Sequence, residues 1–266
     1  MMDEGMKENK LRYTTQLSAG LGMVGETKLL LSIYTPDMTV SQLYETALVS
    51  GLFPMVSARR LRNIIVECFS PRYLKINSAK YLMYLNDNLS SSVFNQFLLI
   101  FTSLANQILF DFIKEIYWSR YSSGRNSLSA EDAQDFVVNA VREGKTQKVW
   151  SDTTIRRNSS YLLGCCADYG LLSTGRSSVH QIQTIRLQDQ TLFFFSYWLH
   201  FMELGDNSVI NHEIWKIFGL EPSDVKDEMK RISKNGWFIV QSAGEVTRIS
   251  WRFSSLEEVI DVIIKR

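Results

Sequence analysis

Cysteine is scarce in this chain of 266 residues, which holds only Cys68, Cys165 and Cys166. Three thiols, two of them adjacent, give neither a disulfide framework nor the paired spacing of a zinc site, so the Cys165-Cys166 pair reads as packing. Histidine is equally sparse: His180, His200 and His212 stand apart, with no Cys or carboxylate partner at ligand spacing. His200 lies in an apolar stretch and reads as a hydrogen-bonded core residue. No phosphate-cradling G-x-x-x-x-G-K-[ST] loop is present, nor a serine elbow or a nuclease-like carboxylate cluster. No charge of one sign dominates, since the formal net charge is +1; a uniformly basic nucleic-acid binder is excluded. Membrane-length apolar runs are missing too, because Phe97 to Phe112 is interrupted by Ser103, Asn106, Gln107 and Asp111, and Leu192 to Met202 is too short. The chain opens on Asp3, Glu4 and Glu8 rather than a basic region followed by an apolar one, so no signal peptide is read and a cytoplasmic location is expected. Together these absences argue against an enzyme. No cofactor, metal, membrane or small-molecule substrate is expected.

What is present is ordinary globular composition, 45% hydrophobic and 21% charged, with charge that is unevenly spread. Residues 1–38 carry net −1, 39–80 net +4, 81–141 net −3, 142–187 net +4 and 188–266 net −3. A localised positive face can bind phosphate on a protein that is neutral overall.

The second basic block contains Trp150-Ser-Asp-Thr-Thr-Ile-Arg-Arg-Asn-Ser-Ser-Tyr-Leu-Leu-Gly-Cys-Cys-Ala-Asp-Tyr-Gly-Leu-Leu172. Ser151 or Asp152 is a good N-cap. Ile155, Leu162, Leu163 and Ala167 recur at helical spacing as one apolar stripe. Thr153, Thr154, Arg156, Arg157 and Asn158 cluster in the first turns, largely off it. Gly170 suits a left-handed C-cap. Leu171-Leu172 starts a strand, a turn follows through Gly175, Arg176 and Ser177-Ser178, and Val179 to Leu187 alternates as the return strand. A capped helix with a polar, basic start followed by a hairpin reads as the recognition helix and wing of a winged helix-turn-helix, which places that start at a DNA groove. Ser129-Ala-Glu-Asp caps the helix before it.

The first basic block repeats the grammar. Thr39 to Ser50 is a helix, Leu52-Phe53-Pro54 a break, and Ser57 caps a helix opening with Arg59, Arg60 and Arg62 and stopped by Pro71. Arginines at a helix start oppose its dipole and call for another reason. Upstream, Gly20-Leu-Gly22-Met-Val-Gly25 matches G-x-G-x-x-G. A dinucleotide site needs a strand before those glycines, and Tyr13-Thr-Thr-Gln-Leu-Ser-Ala is a poor one, so a loop entering a helix from Glu26 to Tyr34 is expected. Val93 to Trp118 reads as a long central helix. In the tail, helices over Leu192–Leu204, from Asn207 or Ser208 to Phe218, and from Pro222 to Lys234 precede a hairpin from Trp237 to Phe253 and a last helix over Leu256–Ile264. The third of these opens with Glu221, Asp224, Asp227 and Glu228, which repel phosphate, so the tail reads as structural or protein-binding.

The expected fold is mainly α, with helix-turn-helix and winged-helix subdomains and two small β-hairpin wings. Residues 1–12 are expected to be a flexible terminus, 13–120 a helical domain, 121–188 a winged-helix unit and 189–266 a second, winged-helix-like unit.

Tyr13-Thr-Thr-Gln-Leu-Ser-Ala-Gly20-Leu21, then Glu26 and an apolar helix to Tyr34, the Ser57–Leu61 helix start, and Ser151-Asp-Thr-Thr-Ile-Arg-Arg with Tyr169-Gly170-Leu-Leu172 together resemble the A component (BrxA) of the BREX bacteriophage-exclusion systems. The resemblance implies a mainly helical, non-enzymatic, DNA-binding protein of bacterial antiviral defence, in a family also likened to an RNA-binding antitermination fold. It implies no catalytic residues. Double-stranded DNA is therefore the expected partner, alongside other defence proteins. The expected contacts are Ser57, Arg59, Arg60, Arg62, Thr153, Thr154, Arg156, Arg157, Asn158 and Arg176. RNA binding, or a protein scaffold with degenerate winged helices, are the competing functions.

Overall fold

A computed structural model describes residues 13–175, 177–243 and 246–265; the expected flexible terminus and Arg176 lie outside them. The fold is mainly α, as expected, with two small antiparallel strand pairs. It divides into two compact units, residues 1–83 with 98–185, and residues 84–97 with 186–266.

In the first unit Tyr13 is a fully buried anchor. Its N–H bonds the Lys145 carbonyl, its hydroxyl donates to Asp111 Oδ2 at 2.7 Å, and its ring lies against Phe136. A single 3-10 turn, Gln16–Ala19, leads into α1 (Val24–Ile33). Helix α2 (Val40–Val49) starts on a capping box between Thr39 and Gln42. Gly51, at φ +72°, then turns the chain toward α3 (Ala58–Asn63), capped by Ser57.

Pro71 does not stop that helix. The chain continues helically through Ile64–Leu74 in a wider turn, in which the Lys75 N–H reaches the Ser70 carbonyl five residues back. Widening accommodates a residue that has no N–H to donate and would otherwise clash with the carbonyl of the preceding turn. Helix α4 (Ala79–Leu85) carries the chain out of the first unit and α5 (Ser91–Ala105) brings it back.

The long central helix is interrupted. Helices α5 and α6 (Gln107–Phe112) meet at a 114° bend. The Asn106 amide donates to the Thr102 carbonyl at 2.9 Å and its backbone leaves the helical region; a short polar side chain competing for backbone groups is a usual cause of such breaks. Among the described residues no single helix is long and apolar enough to cross a membrane. A wide turn, Ile113–Tyr117, continues into α7 (Trp118–Ser122).

Strand β1 (Ser127–Ser129), which no sequence periodicity marks, precedes α8 (Ala130–Arg142), whose start is a capping box of Ser129 with Asp132. Helix α9 (Asp152–Asp168) follows, then β2 (Val179–Gln181). The return strand is shorter than its alternation predicts. It meets Leu172 in one bridge, at Ile182, and gives its other edge to β1 in the register Leu128 to His180. Beyond it, the Tyr117 hydroxyl donates to the Gln183 carbonyl at 2.7 Å.

The second unit packs α10 (Asp189–His200), α11 (Asp206–Ile210), a 3-10 turn Glu213–Phe218, α12 (Pro222–Ser233), the hairpin β3 (Phe238–Ala243) with β4 (Val246–Trp251), and α13 (Leu256–Ile264). Its core is aromatic: Phe193 stacks on Trp237 at 4.3 Å, and the Tyr197 hydroxyl donates to the Trp237 carbonyl. His200 stacks on Trp251 at 4.3 Å. Asp206 and Asn207 accept from the Ile249 and Thr247 N–H groups, closing the outer edge of β4.

Leu162 and Leu163 are both buried on α9. Truncating either to alanine should destabilise the protein by roughly 2–5 kcal/mol, the range for buried leucines. Denaturant titration checks this, and parental stability in both variants would mean that this face is not core.

Candidate nucleic-acid interface

Helix α9 begins at Ser151, whose Oγ accepts the Thr154 N–H at 3.4 Å. Burial of Ile155, Leu162, Leu163, Cys165 and Cys166 fixes its rotation. Thr153, Arg156 and Arg157 consequently stand in solvent. Thr154 is half-buried, with its hydroxyl 3.0 Å from Ser151 Oγ. Asn158 does not join them: it is 3% exposed, and its amide nitrogen donates to the Thr154 carbonyl. Position 158 is seven residues beyond Ser151, about two turns, and falls on the buried side next to Ile155 and Leu162. The expectation of a DNA contact there is corrected.

On α3 the Ser57 Oγ accepts the Arg60 N–H at 3.3 Å. Arg59 and Arg62 are exposed. Arg60 is also exposed, yet its guanidinium is partly committed: Nη1 donates to the Ala19 carbonyl at 2.6 Å, and Nη2 lies 4.0 Å from Met23 Sδ. Arg59, Arg62, Arg156 and Arg157 have no carboxylate partner among the described residues.

The start of α3 meets the later turns of α9 at one cavity. A cavity of about 520 Å³ is lined by Arg60 from α3, by Tyr161 and Asp168 from α9, and by the segment from Leu17 to Glu26. Tyr161 lies four residues after Arg157, on the same helical face. That face therefore runs from Arg157 over Tyr161 to the cavity that Arg60 enters. Tyr161 and Ser18 bring hydroxyls to this place, and neither is among the residues that the sequence singles out. The helical spacing of Arg157 and Tyr161 is the available signal for the first; nothing local marks the second.

The floor of the cavity is the glycine-rich loop. The Gly22 N–H donates to Asp168 Oδ2 at 2.8 Å, and its carbonyl accepts from the Tyr169 hydroxyl at 3.0 Å. A Cβ at Gly22 would sit 2.5 Å from Asp168 Cβ, and one at Gly164 would sit 2.8 Å from Leu21 Cδ1. These glycines serve close packing of backbone on helix rather than a pyrophosphate. Among the described residues before them, Tyr13 makes an isolated bridge to Thr146 and Gln16–Ala19 a 3-10 turn, where a dinucleotide site would need a strand.

In the second unit the acidic start of α12 has a local reason. The Glu221 N–H donates to Asp224 Oδ2 at 2.8 Å in a capping box, and negative charge suits a helix N-terminus. Arg231 is held by both oxygens of Asp189 and by Glu228. These charges of the second unit are satisfied within it.

Fold and site together define a mainly helical protein with exposed arginines near the starts of α3 and α9 and a cavity that Arg60 and Tyr161 line. The chain belongs to the BrxA family, whose model matches residues 11–196, well over half of it. Membership implies a component of a BREX phage-defence system. The BrxA family is not known as a family of enzymes. Among solved structures the chain is similar to a crystal structure of an uncharacterized protein from Magnetospirillum magneticum, with a TM-score of 0.60 at 13% identity over 78% of this chain and 98% of that one. At that identity the likeness concerns the fold alone. No curated protein matches.

Burial raises the Asp168 carboxyl above the ordinary carboxylate range; Glu26 adds to this, while the Gly22 N–H and Arg72 oppose it. The folded chain therefore holds this proton more tightly than the unfolded chain does. Stability from this group is present in full below about pH 4 and is lost as pH rises through the folded value. Asp168→Asn keeps an oxygen for the Gly22 N–H and removes the ionisation. Its melting temperature should gain on the parent's as pH rises above about 4, and a gap that stays constant with pH would contradict this.

Proposed function

We propose that this chain is a non-enzymatic, duplex DNA-binding component of its BREX system, acting in the cytoplasm where phage and host DNA meet. The observation that carries the reading is the convergence on one cavity of Arg60 and of the α9 face that bears Arg157. Further reasons support it. Arg59, Arg62, Arg156 and Arg157 are solvent-facing cations without carboxylate partners among the described residues. The order β1, α8, α9, the Leu172 bridge and β2 is compatible with the expected winged helix, in which α9 would be the recognition helix. Ser57, Thr153 and Thr154 add hydroxyls that suit phosphate oxygens. Family membership supplies the defence setting. Arg176, the remaining expected contact, lies outside the described residues.

The acidic second unit favours a complementary role, contact with other proteins of the system rather than with nucleic acid. A competing use of the same arginines on RNA is separated by a salt series on duplex DNA, single strands and hairpin RNA. Duplex binding should weaken with salt at a slope near about −0.9 per phosphate neutralised.

Replacing Arg156 and Arg157 together by alanine should lower duplex affinity and reduce the salt slope by about one unit for each phosphate that the variant no longer neutralises, without affecting folding. Parental affinity and slope in a normally melting variant would remove α9 from the site. Replacing Arg59, Arg60 and Arg62 by alanine should spare short duplexes but abolish the extra affinity for longer ones that span both helix starts. If that triple variant binds both lengths like the parent, α3 contributes only a solvated surface.

A further inference from the structure

Arg72 is the only Arg, Lys, Asp or Glu side chain that is buried among the described residues, at 2% exposure. A buried charge is costly unless its donors are satisfied. No carboxylate pairs with this guanidinium among the described residues. Its Nη2 donates to the Gly20 carbonyl at 2.6 Å and its Nη1 to the Gly22 carbonyl at 3.4 Å. The same Gly22 carbonyl accepts from the Tyr169 hydroxyl, and the Gly22 N–H faces Asp168. One peptide segment is thus held both by the far end of the α3 helical run and by the end of α9. The Tyr169 hydroxyl lies 2.7 Å from Thr102 Oγ1, whose own neighbour is the Tyr73 hydroxyl at 3.3 Å, so the anchoring groups are fixed in turn.

We propose that Arg72 is a positioning residue: by clamping Gly20 and Gly22 against the end of α9, it sets the separation and tilt of the two basic helices so that both engage one duplex. The inference rests on the duplex-binding reading. The lever is long. Arg157 lies eleven residues before Asp168, roughly 17 Å along the helix at about 1.5 Å per residue, so a tilt of about 10° at the clamp moves Arg157 by about 3 Å. That is the difference between a hydrogen-bonded phosphate and a missed one. The planar, always-charged guanidinium suits the task because its fixed fork reaches two carbonyls at once, which a lysine cannot reproduce.

The test uses the full chain with Arg72→Lys and, as the milder change, Tyr169→Phe, which removes one donor to Gly22. Each is measured on a short duplex covering one helix start and on a long one covering both, across a salt series. Folding is checked by melting, and hydrogen exchange of residues 20–26 is followed without DNA. In the parent, effective concentration should favour the long duplex by on the order of tenfold or more. In the folded variants that advantage should fall to within about twofold and the salt slope on long DNA should flatten, with short-duplex affinity retained and faster exchange confined to the loop. A purely structural residue would lower the melting temperature and leave the length advantage and slope of the folded fraction unchanged, which overturns the proposal. If Arg72→Lys does not fold, Tyr169→Phe decides. A parent chain that shows no salt-dependent duplex binding defeats the underlying reading itself, an outcome distinct from variants that bind both lengths as the parent does.

Discussion

Gly22 has no room for a side chain, and the arrangement of the first unit follows from that. Its N–H is taken by Asp168 and its carbonyl by Tyr169 and Arg72, while a Cβ would overlap Asp168 at 2.5 Å. Only a bare backbone can lie this close to a helix, and its N–H and C=O offer a donor and an acceptor to groups on two different elements. The loop therefore acts as a spacer between the α3 run and α9. Burying Arg72 without a carboxylate is tolerable because carbonyl dipoles satisfy its donors. Leu21 closing on Gly164 adds packing to the polar clamp.

Most of the helices are legible in the sequence because their starts are marked chemically. Thr39, Ser57, Ser129 and Ser151 each cap the helix that follows them, and the last helix runs over Leu256–Ile264 as its spacing says. Interruptions are less legible. Pro71 is a stop by local rule, whereas the widened turn that admits it depends on hydrogen bonding to Ser70 and on packing of Phe69 and Tyr73. Asn106 breaks what composition makes look continuous, since one amide bonding to Thr102 outweighs the apolar run around it. β1 is invisible because a three-residue strand has no periodicity, and its partner β2 lies about fifty residues away.

The site divides along the same line. Exposure of Arg156 and Arg157 follows from the apolar stripe of α9, which is a local property. Burial of Asn158 does not, because a polar residue at the border of a stripe falls inside or outside according to what packs there. Arg72 is hidden for a different reason: it lies beyond a proline that marks a boundary by local rule, and an isolated arginine carries no sequence sign that its partners are glycine carbonyls about fifty positions upstream. Convergence of Arg60 and Tyr161 on one cavity is tertiary information of the same kind.

Helix dipoles sharpen what the arginines mean. On α9 the first turn holds Asp152, which suits the positive end, and Arg156 and Arg157 lie beyond that turn, where the dipole has largely faded. Their position costs little and by itself implies no function. On α3 no acid occupies the first turn. Arg60 is compensated there by the Ala19 carbonyl, and Arg62 sits a full turn in. Arg59 is left as a cation in a first turn, exposed and with no acidic partner among the described residues. Stability gives no reason for it, whereas a phosphate bridging its guanidinium and the free N–H groups of that turn would turn the unfavourable placement into a favourable one. Helix electrostatics therefore single out Arg59 as the cation that a phosphate would compensate, whereas the α9 pair is set apart by its exposure and by the face that Arg157 shares with Tyr161.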